Sequence, residues 1–219
     1  MNYLSHYYFD QSTNDVSYLL GTVFPDLMSE YDRSLRAKAR KLLNKEFSDE
    51  LDPFRQGIKR HYHLDAVFHN SFYFREKTTY LYRQLEQLEL VSMPLRKPFF
   101  AHILVELLLD RTLLDDDFSL VETFYANLSA PLPNSLIKYL DEIPLNKKGE
   151  NFVGFYQRFL DRSFLKNYIQ NDFIINVLSN ISYKITKNSF SIKDKNLLNF
   201  HLEKWKMEIK PNNFPSILV

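Results

Sequence analysis

No cysteine occurs among the 219 residues, which removes disulfides, thiolate metal sites and cysteine nucleophiles together. Glycine is scarce as well, confined to Gly21, Gly57, Gly149 and Gly154. Neither a Walker nor a Rossmann phosphate loop can be assembled from four scattered glycines, so any phosphate chemistry must use cations. No apolar run reaches the ~18 residues that a membrane span needs. The opening MNYLSHYYFD has neither the basic nor the apolar region of a signal peptide. A soluble cytoplasmic protein with no membrane partner is therefore expected. Net charge is nearly absent too: 28 Lys and Arg stand against 27 Asp and Glu, leaving +1. The chain as a whole is no polyanion binder, and without a recognition motif nucleic acid is not an expected partner.

What is abundant is apolar and aromatic. Hydrophobic residues make up 45% and aromatics 16%, with 19 Phe and 14 Tyr, enough to build a globular core. Their spacing is helical nearly throughout. Ser12 and Asn14 are candidate caps for a helix through Val16, Leu19 and Leu20. Tyr31 to Leu43 reads as a basic helix, and Ser48-Asp49-Glu50-Leu51-Asp52-Pro53 as a helix start, with helical apolar spacing from Phe54 to about Phe68. Further helices are expected over Phe74–Leu90, over Phe99–Leu114, which Pro94 and Pro98 open, and over Leu120–Leu128. The C-terminal third adds Phe152–Leu160, Asp172–Tyr183 and Asp194–Met207, with a short β element expected near Ile185–Ile192. No repeat or linker demands a second domain, so the expectation is a single all-α domain of roughly eight to ten helices over residues 1–219.

Chemistry-bearing residues concentrate in four places. In GIKRHYHLDAVFHN, His61 and Asp65 are one turn apart and share a helix face, His69 drifts to its edge, and His63 lies about 200° away. An imidazole and a carboxylate so placed can grip a divalent metal, although a surface ion pair has the same spacing. In FFAHILVELLLDRTLL, His102, Glu106 and Asp110 recur every fourth residue amid apolar neighbours. Buried carboxylates require compensation. Arg111, Arg96, Lys97, backbone donors, a metal or histidines from other helices are the candidates. His6 stands within the apolar MNYLSHYYF. Asp26 follows Gly21-Thr-Val-Phe-Pro25, where taken alone it reads as the cap of a turn after the proline.

In this order the four stretches resemble the acyl carrier protein phosphodiesterase family, which is related to the HD-domain metal-dependent phosphohydrolases. The matches are Met1-Asn2-Tyr3-Leu4-Ser5-His6; Gly21 to Asp26 with Leu27; Gly57, Ile58, His61, Leu64 and Asp65; and Glu106 with Asp110. Together they cover roughly the first 115 residues, and the C-terminal half has no counterpart. The resemblance implies an HD-like helical bundle that hydrolyses the phosphodiester of holo-acyl carrier protein and releases 4′-phosphopantetheine. It implies a divalent ion, Mn²⁺ first and Mg²⁺, Fe²⁺ or Zn²⁺ next, held by His6, Asp26, His61, Asp65 and Asp110. A small phosphoester as substrate, or a non-catalytic binder on the same scaffold, are the alternatives. His102, Glu106 and His69 would stand in or behind that shell; His69 replaces an acid often found there in the family. Arg111 replaces a frequent histidine and would bind phosphate. Because acyl carrier protein is acidic, Arg33, Arg36 and Arg40 are the expected docking cations.

Overall fold

The structure, a computed structural model, describes residues 1–32, 40, 52–92, 96–130, 137, 140 and 148–218. It is all-α: among the described residues there are nine α-helices and two 3₁₀ segments, and no strand. The helices are α1 Tyr3–Tyr8, α2 Val16–Tyr31, α3 Asp52–Asn70, α4 Phe72–Glu86, α5 Lys97–Asp116, α6 Ser119–Leu128, α7 Lys148–Arg162, α8 Asn171–Thr186 and α9 Ile192–Ile209. The 3₁₀ segments are Phe164–Ile169 and Phe214–Leu218.

The chain groups into two compact units. The His61 unit comprises Asn2–Asp65 and Ser119–Phe164; the Trp205 unit comprises Met1, Ala66–Phe118 and Leu165–Val219.

In the His61 unit, α2 packs on α1, α6 and α7. Its core is aromatic. Phe24 meets Phe54 and Phe152 edge-on, Tyr7 meets Phe124, and Tyr3 leans on Phe159. Such tilted and edge contacts match positive ring rims to negative faces. The buried hydroxyls find partners: Asn127 Nδ2 donates to Tyr7 Oη at 2.7 Å, and Tyr156 Oη donates to the Leu128 carbonyl at 2.7 Å. Burial pushes both phenols above their ordinary pKa.

The start of α2 differs from expectation. Its cap is Asp15, whose Oδ1 accepts from the Tyr18 N–H at 3.0 Å, and not Ser12 or Asn14. Nor does Pro25 open a turn. The helix runs through it to Tyr31, which puts Asp26 in mid-helix. A proline there removes one backbone hydrogen bond and costs about 3 kcal/mol. Burial of Leu20, Val23, Phe24, Leu27 and Met28 around it offsets that cost.

Gly21 and Gly57 set a close contact between two helices. A Cβ on Gly57 would lie 2.1 Å from the Tyr18 carbonyl oxygen and 2.9 Å from Gly21 Cα; one on Gly21 would lie 2.2 Å from the Phe54 oxygen. So α2 and α3 cross backbone to backbone, which only residues without side chains permit.

In the Trp205 unit, α5 is packed by α4, α8 and α9. It is buried on most sides, from Phe100 through Leu114, as its nearly unbroken apolar sequence requires. Ser71 caps α4, donor Phe74 N–H to Oγ at 3.1 Å, and Ser191 caps α9 through the Asp194 N–H at 3.1 Å. Asp194 is itself buried, and it accepts from the backbone N–H groups of Val91 at 2.9 Å and Ser92 at 2.7 Å and from Ser92 Oγ. Burial works to raise its carboxyl, but these donors outweigh it and hold it below the usual carboxylate range. The expected β element near Ile185–Ile192 is not formed. Helix α8 continues to Thr186, Lys187 ends it in the left-handed region at φ 62°, and α9 begins at Ile192. A turn into a capped helix satisfies that backbone locally, where a lone strand would lack a partner.

Candidate metal site

The Gly21–Gly57 crossing determines what lies beside it. One residue beyond Gly21 is Thr22; one turn beyond Gly57 is His61. Close approach of the two backbones brings His61 Nδ1 to 2.8 Å from the Thr22 carbonyl oxygen. A carbonyl only accepts, so Nδ1 carries a proton, and in the neutral ring Nε2 keeps the lone pair. Metal-binding histidines are oriented in this way, with the far nitrogen tied to a backbone oxygen.

Helix α1 adds His6, fully buried, whose Nδ1 is 3.2 Å from His61 Nδ1 and whose ring meets that of His61 edge-on at 3.9 Å. Helix α2 adds Asp26. The donor atoms of His6, Asp26 and His61 lie within 4.8 Å of one another. Asp65, one turn after His61, places Oδ1 3.8 Å from His6 Nε2. Four of the residues singled out from sequence are thus neighbours in one unit: two imidazoles and two carboxylates, a set that suits Mn²⁺, Fe²⁺ or Zn²⁺. His63 is exposed, as its place on the wheel requires.

Asp110 belongs to α5 in the Trp205 unit and is fully buried there. The same unit holds a second group, in which donor atoms of His69, His102 and Glu106 lie within 4.8 Å of one another. Glu106 Oε1 is 3.0 Å from His69 Nε2, 3.2 Å from His102 Nε2 and 3.1 Å from the Met1 ammonium. Burial acts to raise the Glu106 carboxyl; the ammonium and the two imidazoles prevail and hold it well below the ordinary range. This half-buried acid is compensated by these groups and not by Arg111, Arg96 or Lys97, the cations nearest in sequence.

Arg111 is committed elsewhere. Its side chain is 5% exposed, and it donates to Glu203 Oε1 at 2.6 Å and to Asn171 Oδ1. Both terminal nitrogens therefore serve the packing of α5 against α8 and α9, with no phosphate needed to account for them. Of the expected docking arginines, Arg33 and Arg36, with most of the basic stretch from Tyr31 to Leu43, lie outside the described residues. Arg40 is exposed, its guanidinium 5.8 Å above the Tyr62 ring.

Two participants escaped the sequence reading, the Thr22 carbonyl and the Met1 ammonium. Both are backbone groups that no side-chain pattern displays. Among the described residues no helix is long and apolar enough to cross a membrane. No protein-family model, curated protein or solved structure matches the chain.

Proposed function

We propose that this chain is a metal-dependent phosphodiester hydrolase on an HD-like scaffold. Its substrate is holo-acyl carrier protein, from which it releases 4′-phosphopantetheine, as the motifs of its first half suggest by resemblance. The observation that supports this reading most is the approach of His6, Asp26 and His61 donor atoms to within 4.8 Å inside one unit. These residues, with Asp65 alongside, would hold the ion, Mn²⁺ by preference. When bound, a divalent ion neutralises phosphoryl charge and acidifies water, so no covalent nucleophile is required. The chain's own contribution is orientation. The Thr22 carbonyl fixes the His61 ring, and α1 presses His6 against it. Hydrolysis adds water across the bond between phosphorus and the carrier's serine oxygen, returning a serine hydroxyl and free phosphopantetheine. Arg40, exposed and charged, is suited to meet an acidic carrier protein.

The test is release of phosphopantetheine from holo-acyl carrier protein in saturating Mn²⁺, by the wild type and His61→Ala. Turnover by the wild type and its loss in the variant are expected. A metal-saturated wild type that leaves the carrier intact overturns the proposed activity.

A further inference from the structure

We infer that His69, His102 and Glu106 form a second divalent-metal site, selective for borderline transition ions such as Zn²⁺ or Fe²⁺. The three donor atoms make a nearly equilateral triangle, with His69 Nε2 to Glu106 Oε1 3.0 Å, His102 Nε2 to Glu106 Oε1 3.2 Å and His69 Nε2 to His102 Nε2 3.3 Å. Ligands about 2.0–2.1 Å from one ion are separated by about 3.0 Å at an octahedral face and about 3.3 Å at a tetrahedral one. The triangle already has the dimensions that an ion would impose.

The rings are held in place by packing. His69 and His102 stack at 4.9 Å and 25°, and the Phe74 ring stands edge-on to both, at 4.8 and 4.9 Å. His102 and Glu106 are one turn apart on α5, so the helix itself sets their separation. Access is open: His102 is 37% exposed and His69 27%, while Glu106 is 17% exposed. Hydrogen bonding alone explains the triangle less well. Two imidazoles and the Met1 ammonium all converge on Glu106 Oε1, three donors on an oxygen with two lone pairs. An ion capping the triangle would take over from the crowded donors and leave the second carboxylate oxygen for the ammonium. Two imidazoles to one carboxylate also select the ion. Ca²⁺ and Mg²⁺ prefer oxygen shells, whereas imidazole suits the later ions.

Co²⁺ is the probe, because its visible d–d absorption appears on binding to nitrogen and oxygen donors. The full-length chain, freed of metal, is titrated as His61→Ala, which disables the other group, and as His61→Ala combined with His102→Ala or Glu106→Gln. Circular dichroism checks that each variant is folded. The expected result is one Co²⁺ with a d–d band in His61→Ala, unaffected by excess Mg²⁺ and lost in both double variants. A His61→Ala chain that takes up no Co²⁺, or a band that both double variants retain, overturns the proposal. Neither outcome bears on phosphopantetheine release by the wild type.

Discussion

Replacing Gly57 by alanine sets two effects against each other. Alanine is the better helix former by about 1 kcal/mol, so propensity alone forecasts a more stable α3. The crossing forecasts the reverse. The new Cβ would lie 2.1 Å from the Tyr18 carbonyl oxygen and 2.9 Å from both Gly21 Cα and the Thr22 nitrogen. All three are backbone atoms, so no side chain can swing aside. Relief requires α2 and α3 to part by about 1 Å, to a tolerable van der Waals separation. Overpacking of this kind costs about 1–3 kcal/mol. The same shift stretches the 2.8 Å bond from His61 Nδ1 to the Thr22 oxygen beyond hydrogen-bond range, leaving a buried donor unsatisfied at a further ~1–3 kcal/mol. After the propensity gain of about 1 kcal/mol, the expected net loss is about 1–5 kcal/mol, and Mn²⁺ affinity at the His61 group should fall with it. Urea unfolding followed by far-UV circular dichroism measures the first, and calorimetric Mn²⁺ titration the second. A Gly57→Ala chain as stable as the wild type with unchanged Mn²⁺ affinity refutes the crossing as the determinant of site geometry.

Other outcomes follow from the same contacts. His61→Ala should abolish Mn²⁺ binding at its group while His63→Ala leaves it intact, read by the same calorimetry. Asp194→Asn should cost about 1–3 kcal/mol at neutral pH through the donors it no longer satisfies as a charge. The folded-state pKa of Asp194 is depressed, so its stabilisation is complete above the unfolded value of about 4 and is lost as pH falls through the folded value. Urea midpoints of wild type and Asp194→Asn should therefore converge on acidification; a gap that stays constant down to acid unfolding would contradict the assignment. Arg40→Glu should slow processing of an acidic carrier protein, the more so at low salt, while sparing a small phosphodiester. Comparative rate measurements on the two substrates check this.

Helices were legible where the apolar period was strong and a cap or proline marked the end. Pro53 and Pro98, both expected at helix starts, do fall in the first turns of α3 and α5. Legibility failed where tertiary packing overrode a local signal. Pro25 argues for a turn, but the apolar residues on either side of it are buried and keep α2 whole. The stretch Ile185–Ile192 reads as a short β element, yet two helix ends account for that backbone better. The site was half legible. Spacing alone puts His61 with Asp65 and His102 with Glu106, because a helix turn fixes such pairs. It does not reveal that His6 turns toward His61, or that Glu106 meets His69 and the Met1 ammonium. Those pairings depend on which helices cross and how closely, and the residues that decide the first of them, Gly21 and Gly57, carry no side chain to advertise it.

Trp205 is the chain's one tryptophan. It is fully buried in its unit and lies parallel to the His201 ring at 5.5 Å. The other unit is built around Phe and Tyr rings. Indole emission is consequently a local reporter: a fluorescence-monitored melt describes the environment of α9 and its neighbours in that unit. Ellipticity at the amide band, by contrast, averages over every helix. Superimposable curves from the two optical signals would mean that both units melt as one cooperative block. A displaced pair would separate their stabilities without any mutation, and would show which unit a bound ion protects.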